Sequence, residues 1–288
     1  MATNTPSLWI TFDFELGWGV VENQRWMVRE KSGVYDQLHI LFDELLECLE
    51  CLEVPVCWAT VGAMAQNHTQ HNFDFLPSKI KCKLKQFCKD SKESTRDGRR
   101  LIDSLLASHH QKLVSHSYSH VVYTEETVTA DHVRIDLAKV CDILAAFGGD
   151  PSVMVLPENK IPDVGLLTAA GVNSIRLPPK HSNACISRVC EKLYIHPSAD
   201  TYANGLTTFF PGSMLFKPRG TDFASRRLFD LEIAGLKRQL NRGISQHIWL
   251  HPFNFGEYNF LFDEFKKFIC WAVNRREMRH LDIECMGG

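Results

Sequence analysis

The sequence predicts an α/β protein built on a mostly parallel sheet that curls toward a barrel. Three observations lead there. Short apolar runs of strand length alternate with segments of helical period from end to end, the pattern that right-handed β–α–β crossovers produce. About seven or eight such units can be counted, which favours a barrel, complete or not, over an open sheet. No glycine-rich fingerprint follows any strand, which argues against the dinucleotide and P-loop forms of the parallel sheet.

Bulk properties narrow the function. The 288 residues are 44% hydrophobic and 23% charged, enough apolar material for a sizeable core. A net charge of -2 argues against general binding to nucleic acid or acidic membranes. No apolar run approaches the roughly 20 residues of a membrane span. The first seven residues are polar and lack a basic region and an apolar signal core. Ten cysteines without a secretory signal imply a reducing compartment and mostly free thiols, so a cytoplasmic protein is expected. The tripeptide Asn67-His68-Thr69 matches a glycosylation acceptor but would stay unmodified there.

Taken in order, residues 8–15 form an apolar strand ending in Asp13 and Glu15. Alternation places both acids on one face and Phe12 and Phe14 on the other. Two anions together at a strand end call for a cation or a shared proton, unless the strand simply runs out into solvent. Residues 16–32, with Gly17, Trp18, Gly19 and Trp26, read as a long loop. Residues 35–53 have helical spacing through Leu38, Phe42, Leu45, Leu46, Leu49 and Leu52, and 56–61 form a short buried strand. Residues 67–100 read as a surface excursion with short helices. A helix at 101–108 and a strand at 112–115 come next, then a helix at 125–147 closed by Gly148 and Gly149. Strands are expected at 153–156, 172–177, 207–210, 245–250 and 280–283. Helices are expected at 164–170, 223–241 and 258–276. Residues 178–204 read as an irregular loop.

Four polar groups fall at strand C-terminal ends: Asp13 with Glu15, His116 with His120, residues 157–160, and His251. In a parallel barrel those ends face one mouth, so residues far apart in sequence converge. A helical turn after the strand at 112–115 would set both imidazoles on one side. Two histidines and one carboxylate make an open site for a divalent first-row metal, Zn²⁺ first among them, with Glu15 as the carboxylate. Taken alone, the histidine pair reads more simply as a surface pair in a serine-rich loop. Asp13 is then free to take a proton from water and His251 to protonate a leaving group. The plainer reading of His251, a core histidine, fits less well beside Pro252. His109, His110, His181 and His280 read as solvated. Cys48 and Cys51 form a C-x-x-C within a helix and read as buried structural cysteines; Cys185 and Cys190 lie in the 178–204 loop.

Three segments carry a resemblance. Residues 11–15 (TFDFE), 116–120 (HSYSH) and 249–254 (WLHPFN) resemble, in order and spacing, the principal motifs of polysaccharide deacetylases, the NodB-homology domains of carbohydrate esterase family 4. The D-x-E form resembles the branch that separates its two acids by one residue, and residues 211–214 (PGSM) resemble a later segment of that branch. The resemblance implies one NodB-like domain over residues 1–288, with excursions near 67–100 and 178–204, folded as a distorted (β/α)7-type barrel. It implies metal-dependent hydrolysis of an acetyl group on a sugar, with Asp13 as base, His251 as acid, and Glu15, His116 and His120 as metal ligands. One departure stands out. Relatives usually carry an arginine, which positions the catalytic acid, in the segment read here as residues 156–160. Glu158 stands there instead, with Lys160 as the nearby cation.

The leading expectation is therefore a metal-dependent hydrolase that removes an N-acetyl group from a sugar or sugar-containing substrate. A second keeps the fold and changes the substrate to a cyclic amide, as in allantoinase-like proteins. A third, motivated by Glu158, is a carbohydrate-binding domain without turnover. The expected partner is a carbohydrate or small amide, with no nucleic acid and no membrane span.

Overall fold

A computed structural model of the chain describes residues 5–178 and 198–287. Its strands are β1 (Ser7–Phe14), β2 (Val56–Thr60), β3 (Gln111–Ser115), β4 (Asp150–Val155), β5 (Ser174–Leu177), β6 (Tyr202–Asn204), β7 (Thr207–Pro211), β8 (Met214–Leu215), β9 (Gln246–Leu250) and β10 (Asp282–Glu284). The sheet order is β6-β7-β5-β4-β3-β2-β1-β9-β8, with β10 on β1. All pairings are parallel except the β6–β7 hairpin. β7 pairs with β5, while β8 pairs with β9. Only Gly212 and Ser213 lie between β7 and β8, and they bond to Leu177 O and His247 O at 2.9 and 2.8 Å. One run of chain thus joins the two sides of the sheet and closes a ring of seven parallel staves. A Cβ on Gly212 would lie 2.8 Å from the Trp249 ring, so the closing segment needs glycine there. This is the expected α/β fold, a distorted barrel of mostly parallel strands.

Alternation on the strands explains the two apolar clusters. Leu8, Ile10, Phe12 and Phe14 of β1 face outward into the large core shared with the helices. There Phe12 and Phe14 meet Trp58 edge-on at 4.6 and 5.5 Å. The opposite face supplies Trp9, which joins Cys57, Ala59, Val114, Val153, Val155 and Phe210 in a second cluster inside the ring. Met286 fills the N-terminal end of that interior, its N–H donating to Cys57 Sγ at 3.3 Å. Farther up the same inward face stand Thr11 and Asp13, and then Glu15 just past the strand.

The helices are α1 (Arg25–Lys31), α2 (Val34–Cys51), α3 (Ser78–Asp90), α4 (Glu93–Arg96), α5 (Arg99–Leu106), α6 (Ala130–Ala146), α7 (Val164–Ala169), α8 (Phe223–Asn241), α9 (Asn254–Glu257) and α10 (Leu261–Glu277). Several expectations need correction. The 16–32 loop contains α1 and a 3-10 turn at Trp18–Val20. Residues 67–100 are not a detached excursion: Phe73, Leu76, Ile80, Leu84 and Phe87 are buried, and Phe87 meets Trp18 edge-on at 4.9 Å. The helix expected from residue 125 starts at Ala130, because Thr129 caps it with its side chain and His132 bonds back to the Thr129 N–H at 2.9 Å. The expected 178–204 loop includes β6, and residues 179–197, with Cys185, Cys190 and His181, lie outside the described residues. Cys51 is exposed and Cys48 half-buried, so that pair is not a buried one; the eight described cysteines are all free. Among the described residues, no helix is long and apolar enough to cross a membrane.

Candidate active site

Glu15 directly succeeds the last residue of β1 and is buried although charged. The chain reverses at once: Leu16 has φ 45°, and the Trp18 N–H bonds to Glu15 O at 2.9 Å. The buried Trp18 donates from Nε1 to Arg96 O at 2.8 Å, which pins this turn over the carboxylate. A Cβ on Gly19 would sit 2.0 Å from Glu15 Cδ, so only glycine leaves the carboxylate its space.

His116 comes immediately after β3, and its Nδ1 lies 2.7 Å from Val155 O. That carbonyl can only accept, so Nδ1 carries the proton and Nε2 is left to face Glu15 Oε2 at 3.3 Å. His120 Nε2 is 2.9 Å from the same oxygen. The two rings are 4.8 Å apart. Residues 116–120 do not form the helical turn that would set both imidazoles on one side. Ser117 and His120 instead have φ 64° and 57°, and Ser117 Oγ accepts from the His120 N–H at 2.9 Å. Two left-handed residues therefore bring the imidazoles together.

The donor atoms of Glu15, His116 and His120 all lie within 4.8 Å of one another. A carboxylate facing two ring nitrogens, one of which presents a lone pair when neutral, is stable only with a proton or a cation among them. Two nitrogens and one carboxylate oxygen, with His116 braced from behind by a backbone carbonyl, suit a divalent metal with open positions. The residues present fit such an ion.

Asp13 is held differently. Arg176 grips its carboxylate with both terminal nitrogens, Nη2 lying 2.8 Å from Oδ2. The buried guanidinium also donates to Thr11 Oγ1 at 2.9 Å and, through Nε and Nη2, to Asn159 Oδ1 at 3.1 and 3.0 Å. Thr11 Oγ1 in turn lies 3.1 Å from His247 Nε2. His251, at the end of β9, is a quarter exposed, with Nε2 3.4 Å from Glu15 Oε1 and 3.8 Å from Asp13 Oδ2. All five side chains named from the sequence therefore meet at one end of the barrel.

This packing sets the electrostatics. Burial pushes both carboxylates up, but their basic neighbours overcome it. Arg176 brings Asp13 below its ordinary value, and the histidines bring Glu15 well below. Burial lowers His120, yet Glu15 raises it to a net upward shift. For His251 burial outweighs the two acids and the shift is downward. Burial, seconded by the Arg176 charge, takes His247 to about 3, so it is neutral when folded.

Sequence reasoning missed Arg176, Asn159, His247 and Asp136. Arg176 left a legible signal, a lone cation inside the strand run Ser-Ile-Arg-Leu, buried without a partner close in sequence. Lys160 does not stand in for an arginine: it pairs with Glu158 at 2.7 Å, both side chains being about half exposed.

A small cleft, open to solvent, lies beside His120. Trp18, Val21, Ile80, Leu84, Val121 and Val122 make its apolar lining, and Glu22, Lys83, Glu125 and Glu158 are its charged residues. α3, from the 67–100 stretch, supplies one wall.

No family model matches the chain, and no curated protein matches it. Solved structures do. A protein of Mycobacterium smegmatis provisionally assigned as a polysaccharide deacetylase aligns over 98% of this chain and 88% of its own, at 14% identity and a TM-score of 0.64. A GH57 branching enzyme from Thermococcus kodakaraensis aligns over 96% of this chain and 69% of its own, at 10% identity and a TM-score of 0.56. A 4-alpha-glucanotransferase from Thermococcus litoralis aligns over 97% of this chain and 38% of its own, at 14% identity and a TM-score of 0.54. At these identities the likeness is one of fold. It places the chain among α/β barrels that include polysaccharide deacetylases and GH57 enzymes.

Proposed function

We propose that the protein is a metal-dependent hydrolase that removes an N-acetyl group from a sugar or sugar-containing substrate. The observation that carries this reading is the placement of Glu15, His116 and His120 around one point, with Asp13 and His251 beside them. A divalent ion held by Glu15, His116 and His120, Zn²⁺ first among the candidates, would acidify a bound water and polarise the acyl carbonyl. Asp13, held ionised and oriented by Arg176, takes the proton of the attacking water. His251, with Nε2 3.8 Å from Asp13 Oδ2 and its ring open to the mouth, delivers a proton to the leaving nitrogen. The buried Trp18 turn keeps bulk water away from Glu15.

The GH57 likeness raises a glycosidase reading, which the site's charges disfavour. A glycosidase acid needs a carboxyl group with a raised pKa, whereas Asp13 and Glu15 are both shifted down by basic partners. The D-x-E spacing, the single NodB-like domain and a cytoplasmic site of action belong to the same proposal.

The test is acetate release from N-acetylhexosamine oligomers by the metal-loaded protein, beside release of reducing ends and ring opening of allantoin. Acetate release lost in His116→Ala supports the reading. Ring opening without acetate release moves the substrate to a cyclic amide. Sugar binding in a calorimeter without turnover leaves only a binding domain.

A further inference from the structure

Behind the histidine loop lies a buried carboxylate that the chemistry above does not use. Asp136, in the second turn of α6, is fully buried. Its Oδ2 accepts from the Tyr118 N–H and the Tyr123 hydroxyl, each at 2.8 Å, and its Oδ1 accepts from the Ser119 hydroxyl at 2.5 Å. These donors all belong to residues 118–123, the stretch that carries His120. On its other side the loop is held by the turn after β2: the Gly62 and Ala63 N–H groups donate to Ser117 O and Tyr118 O at 2.9 and 2.8 Å. The loop is thus tied on one flank by backbone and on the other by one side chain. Between them stand Ser117 and His120, both in the left-handed conformation that residues with a Cβ adopt only when their surroundings enforce it.

We infer that Asp136 is a positioning residue for His120: by binding Tyr118, Ser119 and Tyr123 at once, it holds the left-handed turn that aims His120 Nε2 at Glu15 Oε2. The inference rests on the reading of Glu15, His116 and His120 as a metal site. A helix carboxylate that merely fastened a loop would need one bond. Three bonds, spread over both sides of His120 and including the backbone N–H two residues before it, fix the path of the chain through that residue. His116 does not depend on this anchor, because Val155 O braces it. His120 has no comparable bond to its ring other than Glu15 among the described residues. Its aim is set by the backbone under it.

Zn²⁺ affinity is measured by competition with a chromophoric chelator, and thermal melting of the metal-free proteins is recorded beside it. The proteins are wild type, Asp136→Ala, Asp136→Asn, and the double variant Ser119→Ala/Tyr123→Phe. Loss of a group that orients a metal ligand costs about 10- to 100-fold in affinity, and that fall is expected for Asp136→Ala. Asp136→Asn is expected to recover most of it. Its amide oxygen can accept from the Tyr118 N–H and the Tyr123 hydroxyl, while its NH₂ donates to Ser119 Oγ. The double variant, which keeps the carboxylate and its bond to Tyr118, is expected to fall between. Asp136→Ala that folds and binds Zn²⁺ as tightly as wild type overturns the inference. Should Asp136→Ala fail to fold, the double variant decides: weakened binding in a folded protein supports the role, and unchanged binding overturns it. Wild-type protein that binds no Zn²⁺ removes the metal site itself and this inference with it. That result is separable from one in which wild type binds and Asp136→Ala binds equally well.

Discussion

Arg176 and Asp13, 163 residues apart in sequence, form a two-pronged ion pair wholly inside the barrel mouth. Arg176 comes from β5, one strand beyond the segment in which an arginine was expected. The carboxylate proposed as base thus has a guanidinium partner although Glu158 stands where a cation usually would. Thr11 and Asn159 take the remaining donors, so the buried cation is satisfied on several sides.

Removing that cation is expected to damage both stability and chemistry. Arg176→Ala leaves Asp13 buried and uncompensated, at a cost of about 3–5 kcal/mol. Arg176→Lys keeps charge but loses the fork, and hydrolysis is expected to fall about 100-fold with a smaller loss of stability. Urea unfolding and steady-state kinetics on both variants check this. Wild-type rates in Arg176→Lys would show that orientation of Asp13 is unimportant.

Glu158→Ala, by contrast, is expected to leave the rate within a few-fold of wild type. Glu158 bonds Lys160 at the surface, while Asp13 pairs with Arg176 deeper in the barrel, and such exposed pairs contribute about 0–1 kcal/mol. A large loss of rate in this variant, with substrate binding retained, would place Glu158 in the chemistry.

The three donors Glu15, His116 and His120 lead to a simple stoichiometry. Purified protein is expected to carry about one divalent ion per chain. Prolonged chelation should abolish hydrolysis, and Zn²⁺ should restore it. In His116→Ala, added Zn²⁺ should restore nothing. Elemental analysis reads the ion directly. Full activity after exhaustive chelation would refute metal dependence.

Gly19→Ala is a local probe of the same carboxylate. The added methyl would overlap the Glu15 carboxylate, the nearest group to it. Metal affinity is expected to fall by at least the roughly 10- to 100-fold seen when a ligand is mis-oriented, with little change in melting temperature. Unchanged affinity would mean that Glu15 can move aside without consequence.

His247 sets an acid limit on stability. Its folded pKa, about 3, lies below the ordinary histidine value near 6.5. Above the ordinary value both states are neutral there and no stability is lost. As pH falls toward 3, the unfolded chain takes a proton that the folded one refuses, and stability drops. By pH 5 the loss from this residue is about 2 kcal/mol. Unfolding free energies at pH 7.5 and 5.0 in wild type and His247→Gln isolate it, the variant being expected to show the shallower dependence. Equal slopes would mean that His247 titrates normally.

Much of this was legible because local patterns carry it. Helices α2 and α8 and strand β1 announce themselves by period, strands β2 and β9 by short apolar runs, and the site's five side chains sit where strands end. α1 was not legible, because Trp26 is its one buried residue. α3 and α4 fall in the stretch expected to hold short helices, but α3 packs Ile80, Leu84 and Phe87 into the main core and α4 has no apolar residue to mark it. The path of the 116–120 turn was not legible because a spacing of four fits a helical turn, whereas Asp136, Gly62 and Ala63 hold a left-handed one.

The sequence by itself determined the alternation of strands and helices, and hence a parallel sheet with Asp13, Glu15, His116, His120 and His251 at one set of strand ends. Only the tertiary structure decided that β7 and β8 close the ring, that Arg176 partners Asp13, and that Asp136 stands behind His120. The physical reason is one of range. Side-chain period is a local property that each segment carries alone. A buried charge finds its partner across the barrel, where burial makes pairing obligatory but leaves no mark in the neighbouring residues.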